Sequence, residues 1–200
     1  MADRDNYLTL KAPSEALYKV KGSKFYGYAF PMNAEEELKV VLDRLKTQHH
    51  AARHHCYGYR INPAFEYTRA NDDGEPSNAA GMPILNQILS ENLYNVGVVV
   101  VRYFGGTKLG VPGMINAYKT GAKWAIEEGQ IIEKTLSIPI TIQCSYQHLN
   151  EVMRVIKREA LTLSSQKMEI ECSLVLDVPI SEKESVISTF KSLHNINVYE

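Results

Sequence analysis

The chain has too few cysteines, and too widely spaced, to build a covalent framework. Cys56, Cys144 and Cys172 are odd in number and form no C-x-x-C pair, which excludes a disulfide scaffold or a cysteine zinc site. It also lacks an excess charge of either sign. A net charge of −1 over 200 residues removes the global basic signature of a nucleic-acid binder. Neither side of a division near Lys134 concentrates one sign, so any polyanion site must be a local patch. No apolar run approaches the ~20 residues that a membrane span needs. The first residues, Met1-Ala2-Asp3-Arg4-Asp5-Asn6, carry no apolar leader core. A cytoplasmic protein with no membrane partner is expected.

What is present centres on Val96–Gly113. The β-branched run Val96–Val101 reads as a strand buried on both faces. It breaks into Gly105, Gly106, Gly110 and Gly113, flanked by Arg102 and Lys108, and a helix pattern follows from about Met114. Strand, glycine loop and helix can aim backbone N–H groups at an anion. The same glycines would equally serve a tight turn with positive φ. The loop matches neither a Walker A sequence nor G-x-G-x-x-G.

Upstream, residues to Ala12 read as a loose arm. Tyr18–Val20 and Lys24–Phe30 form a hairpin about Lys21-Gly22-Ser23. Asn33 and Glu36 suit a capping box for a helix with the stripe Leu38, Val41, Leu42 and Leu45. His50 and His54 have the i, i+4 spacing of two helical metal ligands, or simply suit a helix C-terminus. His55–Ile61 alternates as a half-buried strand: Tyr57, Tyr59 and Ile61 take one face, Cys56, Gly58 and Arg60 the other. Phe65–Arg69 is its returning partner.

The second unusual stretch is Asn71-Asp72-Asp73-Gly74-Glu75-Pro76-Ser77. Its three carboxylates could hold a hard cation or work as an acid/base pair, or could simply build a turn and cap the next helix. That helix buries Ile84, Leu85, Ile88 and Leu89. After the glycine loop, Met114, Tyr118, Gly121, Ala122, Ala125 and Ile126 face the core. Lys119 and Lys123 could join Arg102 and Lys108 in a basic patch.

Beyond Gly129 the pattern changes. Leu136–Cys144 alternates as a strand, with Pro139 suggesting an edge. A helix capped at Ser145 buries Tyr146, Leu149, Val152, Met153 and Ile156, and Leu161–Leu163 is a short strand. Lys167–Val178 alternates with Met168, Ile170, Cys172, Leu174 and Leu176 inward. A capping box at Ser181–Glu184 opens the last helix, and Ile196–Tyr199 closes the sheet. The order is βαββαβ, the ferredoxin-like arrangement. Outward positions such as Ser137, Thr141, Gln143, Glu169, Glu171, Ser173 and Asp177 lack the stacking aromatics of an RNA-recognition motif.

Three segments together resemble the IMPACT/YigZ family: His54–Arg60, Asp72–Leu85 and Val100–Gly110. The resemblance spans roughly Tyr18 to Glu128, and residues 135–200 are similar to the C-terminal domain of the bacterial members. It implies an α+β protein of two domains. Residues 1–134 would form a βαβ-type domain like the second domain of a small-subunit ribosomal protein. Residues 135–200 would form a ferredoxin-like domain resembling one of elongation factor G. Eukaryotic relatives restrain a starvation-responsive initiation-factor kinase by binding its activator. The resemblance thus implies a non-enzymatic regulator in translation control or stress response, whose partner is RNA, the ribosome or a translation-associated protein. The expected binding residues are His54, Arg60, Asp72, Asp73, Gly74, Glu75, Pro76, Ser77, Arg102, Tyr103, Gly105, Gly106, Lys108 and Gly110. No cofactor, metal or catalytic residue is assigned. The alternative is a metal-assisted, peptidase-like hydrolase using Asp72, Asp73 and Glu75 with His54. The sequence departs from the family at Asn78-Ala79 and at Pro112, where the family usually carries Gly-Thr and glycine.

Overall fold

The computed structural model describes residues 5–200. The chain divides into two compact units. One is Tyr7–Lys134; the other is Thr135–Glu200 together with Asp5 and Asn6.

The first unit opens with β1 (Asn6–Leu10), β2 (Ser14–Val20), β3 (Ser23–Pro31) and α1 (Glu35–Gln48). There follow β4 (His54–Ile61), β5 (Tyr67–Asn71), α2 (Gly81–Ser90), β6 (Val96–Tyr103), α3 (Gly110–Glu127) and β7 (Ile131–Thr135). Five strands make one antiparallel sheet in the order β2-β3-β6-β4-β5. Strand β6 lies at its centre, and every residue from Val96 to Arg102 is buried, as the apolar run predicts. Val98 and Val100 pack with α2 and α3, while Val99 and Val101 pack with α1. Covering both faces is what this pattern requires, and each buried valine contributes roughly 1.5–3 kcal/mol. On β4 the two faces are as expected, but the strand is not half-buried: it is covered on both sides, with Cys56, Tyr59, Arg60 and Ile61 all buried, because it lies beside β6 between the same helix layers. Tyr57, Tyr59 and Ile61 join the α1 cluster, and Cys56 joins the α2–α3 cluster.

Several local expectations are corrected. Asn6–Leu10 is not part of a loose arm: as β1 it pairs with β7, and Leu10 is fully buried, while residues 1–4 of the expected arm lie outside the described residues. The partner of β1 lies more than a hundred residues away, beyond the reach of local pattern. Lys21 and Gly22 alone form the β2–β3 turn, both with positive φ (46° and 79°), as a two-residue hairpin favours. Ser23 already belongs to β3. The returning strand is Tyr67–Asn71, because Asn62 Oδ1 accepts the N–H groups of Ala64 and Phe65 and widens the turn, leaving Phe65 81% exposed. Asn33 does not cap α1. The cap residue is Ala34, and the Asn33 N–H donates to Glu37 Oε1 at 3.2 Å. Three acids in the first turn, Glu35, Glu36 and Glu37, suit the helix dipole there. Helix α3 starts at Gly110, a turn before Met114, and Leu89 is exposed on α2.

The second unit contains β8 (Ser137–Cys144), α4 (Leu149–Arg158), β9 (Thr162–Met168), β10 (Cys172–Pro179), α5 (Lys183–Lys191) and β11 (Ile196–Tyr199). Its antiparallel sheet runs β11-β8-β10-β9. This is the βαββαβ, ferredoxin-like order. The core joins Ile140, Ile142, Leu174 and Leu176 to Val152, Ile156, Ile187 and Phe190 of the two helices.

Here too the sequence pattern needs amendment. Lys167–Val178 is not one strand. It contains the β9–β10 turn, with the Glu169 N–H donating to the Glu171 carbonyl at 3.2 Å and Ile170 95% exposed at the tip. Glu169 and Glu171 therefore belong to that turn, and Met168 is also exposed. Strand β8 is interior, yet Pro139 is tolerated because β11 pairs only from Thr141 to Cys144. Neither serine caps its helix. His148 precedes α4, and Glu182 precedes α5 after a short 3₁₀ turn. Ser181 bonds Asp5 instead, and Tyr146 is exposed. Among the described residues, no helix is long and apolar enough to cross a membrane.

Candidate functional site

The acidic loop is built on its own backbone. Asn71 Oδ1 accepts the Asp73 N–H at 2.8 Å, and Asp73 takes a positive φ of 42°. Asp72 reaches across the loop. Its Oδ1 accepts the N–H groups of Ala80 and Gly81 at 2.9 and 2.8 Å, and its Oδ2 that of Asn78 at 2.9 Å. It therefore serves the opening of α2, where orphan N–H groups need an acceptor. Asp73 Oδ2 accepts the His55 N–H at 2.6 Å, and the Asp73 carbonyl accepts Nδ1–H of His54 at 2.8 Å. Because a carbonyl can only accept, the His54 proton sits on Nδ1 when the ring is neutral. Both oxygens of Asp72 and one oxygen of Asp73 thus serve backbone amides. Among the described residues, no three His, Cys, Asp or Glu side chains converge as metal ligands.

Glu75 is directed elsewhere. Its Oε1 meets Arg102 Nη1 at 2.5 Å, with side-chain exposures of 5% and 9%. The same oxygen accepts Tyr118 O–H at 2.7 Å. Arg102 Nη1 also contacts Met114 Sδ at 3.4 Å, while its Nε is buried with no acceptor. Burial, followed by the nearby Cys56 and Glu75, pushes the Tyr118 phenol far up. Burial likewise pushes up the Cys56 thiol, whose Sγ donates to the Asp72 carbonyl at 3.0 Å. Such a thiol is a packing group rather than a nucleophile.

The glycine loop joins this network to α3. Gly105 donates its N–H to Ser23 Oγ at 3.0 Å and packs directly on the Lys21-Gly22 turn. A Cβ there would lie 1.9 Å from the Gly22 carbonyl carbon. Gly106 is required for a different reason: its φ is +86°, although a Cβ added there would meet no atom within 4 Å. Leu109 precedes α3 without a side-chain cap, and the first turn carries no acid.

A cleft of about 670 Å³ opens over this junction. Its walls come from Ala51, Arg53 and His54, from Glu75 and Pro76, from Arg102, Tyr103 and Phe104, and from Lys108–Val111 with Met114. It gathers His54, Glu75, Pro76, Arg102, Tyr103, Lys108 and Gly110 from the sequence-derived set. Asp72, Asp73, Gly74, Ser77, Gly105 and Gly106 do not line it. Arg60 lies apart, buried against Asn92 and Tyr94 and paired with Glu66 at 2.6 Å. The Arg60 hydrogen bond holds the Glu66 carboxyl below its usual range.

The basic patch is also revised. Arg102 is buried and matched by Glu75, Lys119 and Lys123 do not line the cleft, and Lys123 lies 3.5 Å from Glu127. The cleft's unpaired cations among the described residues are Lys108 and Arg53. Arg53 and Phe104 were missed as site residues, although each lies in a stretch whose composition is unusual. The helical spacing of His50 and His54 has no meaning here, since α1 ends at Gln48 and His54 starts β4.

A family model described as the Impact N-terminal domain matches residues 21–126, which include both loops and the whole cleft lining. The chain belongs to the IMPACT family. YvyE, an IMPACT family member of Bacillus subtilis (strain 168), is 28% identical over 180 residues, covering 90% of this chain and 82% of the relative. YigZ of Escherichia coli (strain K12), also of the IMPACT family, is 30% identical over 150 residues, 74% of each chain. The IMPACT homolog of Saccharomyces cerevisiae is 38% identical over 114 residues, but these are only 43% of its length. A solved structure described as a hypothetical protein aligns with a TM-score of 0.73 at 24% identity, covering 97% of this chain and 96% of the other. That likeness shows a shared fold.

Proposed function

We propose that this IMPACT family member is a cytoplasmic, non-enzymatic binding protein in translation control, and that its cleft takes an anionic group of the ribosome or its RNA. The observation that carries the reading is the convergence in one cleft of Arg53, Lys108 and the uncapped start of α3. Unpaired cations beside free helix N–H groups suit a phosphate. Family membership supports the translational setting, which is what the resemblance to the IMPACT/YigZ family implies. The use of both Asp72 oxygens and of Asp73 Oδ2 by backbone amides favours binding over metal-assisted hydrolysis.

The test is sedimentation of tagged protein in a cell lysate through a sucrose gradient at low and moderate salt. Salt-sensitive migration with ribosomal subunits is expected, and it should be lost in an Arg53→Glu/Lys108→Glu variant. Each phosphate contact removed should flatten the salt dependence by a slope of about 0.7 on single strands. Wild-type protein that stays at the top of the gradient at both salt concentrations would remove the reading. Arg102 is unsuitable for this test, because reversing a buried, paired charge would attack the fold.

A further inference from the structure

The cleft is larger than an anion needs. Its volume of about 670 Å³ falls within the roughly 300–1,000 Å³ typical of sites for organic ligands. It is also two-sided in chemistry. Arg53 and Lys108 contribute cations with no carboxylate partner among the described residues, and α3 contributes backbone N–H groups with no side-chain cap. The same lining contains Phe104, a large aromatic side chain that is 60% exposed. Its ring centroid is 5.8 Å from the Arg102 guanidinium. Arg102 itself lines the cleft, nine-tenths buried, with an Nε–H that has no acceptor. The single carboxylate in the lining, Glu75, is already offset by that same arginine.

Resting on the anion-binding reading above, we propose that the cleft takes one nucleotide unit of a single-stranded RNA. Its base stacks on Phe104, and its phosphate sits by Lys108 and the start of α3. A nucleotide joins the two features found together here, a flat apolar body and an anion one sugar away. An acidic peptide matches only the second. Nor can a peptide add as a strand at this point, since β6 has β3 on one edge and β4 on the other as far as Arg102. Phosphate supplies salt-dependent affinity, and stacking adds a sequence-tolerant contribution that salt does not screen.

The experiment is fluorescence anisotropy of a labelled decameric polyuridine RNA with the full chain, across a salt series. Phe104→Ala should weaken binding about ten-fold without changing the salt slope, and Phe104→Tyr should restore it. Lys108→Gln should instead reduce the slope by about 0.7. Phe104 is exposed, so neither aromatic variant should alter the unfolding profile. Phe104→Ala binding RNA as wild type does, with salt-sensitive ribosome association intact, would overturn the nucleotide pocket and leave the anion site standing. Displacement of the RNA by polyglutamate as readily as by unlabelled RNA of equal charge would also overturn it. Wild-type protein that binds neither the RNA nor ribosomes at low salt would remove both proposals.

Discussion

Glu75→Gln separates a buried, matched Arg102 from a free one. The two side chains are 5% and 9% exposed and meet at 2.5 Å, so solvent screens them little. An exposed pair contributes about 0–1 kcal/mol, whereas breaking a buried pair leaves an uncompensated charge and costs about 3–5 kcal/mol. Glutamine keeps an acceptor for Tyr118, which places the expected loss near the lower end, about 3 kcal/mol. Arg102→Met alone should cost a similar amount, because the carboxylate is then left with only the Tyr118 hydroxyl. The double variant Glu75→Gln/Arg102→Met removes both charges and keeps the Tyr118 partner. It should lie within about 1 kcal/mol of wild type, since replacing a buried pair by uncharged groups is often neutral. The assay is urea unfolding followed by the fluorescence of Trp124. This is the chain's single tryptophan, on α3 in the same unit, packed edge-on against Tyr18 at 5.2 Å. With a denaturant slope of about 1.5 kcal/mol/M, each single variant should move the midpoint by about 2 M. A shift below about 0.7 M for Glu75→Gln, or a double variant no better than the singles, would show that the pair is not energetically buried.

The remaining predictions concern the imidazoles and the glycine loop. Burial holds His49 and His55 below the usual range, so the unfolded chain binds their protons more readily below about pH 6.5. Stability from this source is therefore complete above that pH and falls on acidification. The urea midpoint should drop between about pH 7.5 and about pH 5, with a shallower drop in His55→Leu, and an unchanged acid limb in that variant would refute the assignment. Gly105→Ala should lower the unfolding temperature far more than Gly106→Ala. The first forces a Cβ to within 1.9 Å of the Gly22 backbone, whereas the second meets no atom and incurs only the positive-φ penalty of about 1–2 kcal/mol. Equal losses in the two variants would mean that the loop does not rest on the β2–β3 turn.

The legible parts of the fold were those in which one local pattern has one solution. Val96–Val101 needed apolar cover on both sides, and β6 has it. The β4 alternation was also readable, because period two assigns side chains to faces without reference to a partner. What failed was pairing at a distance and the placement of turns. Nothing in Asn6–Leu10 announces Ile131–Thr135 as its neighbour. Along Lys167–Val178 the alternation continues through Ile170, so the hairpin tip is visible only when β10 is seen to fold back on β9. The capping boxes failed for a related reason. Suitable residues were present at suitable spacing, but Asp5 claimed Ser181 and Glu37 claimed the Asn33 amide.

The site was legible as two stretches and illegible in its roles. Sequence grouped Asp72, Asp73 and Glu75 by residue type, yet the fold separates them completely. Two satisfy backbone donors around the opening of α2 and β4, and one reaches under the cleft to Arg102. Sequence likewise grouped Arg102 with Lys108 as cations. Burial beside Glu75 removes the first from the surface charge and leaves the second. In each case a charge's function follows from its partner, and the partner lies 27 residues away for Arg102 and 18 for Asp73. Arg53 and Phe104 show the converse. Neither has a side chain that the sequence readings singled out, but the α1–β4 connection and the exit of β6 bring them to one opening. The cleft is therefore a product of topology: the β3–β6–β4 pairing sets the Arg53–His54 corner beside the glycine loop, and there unpaired cations and an exposed ring line one opening.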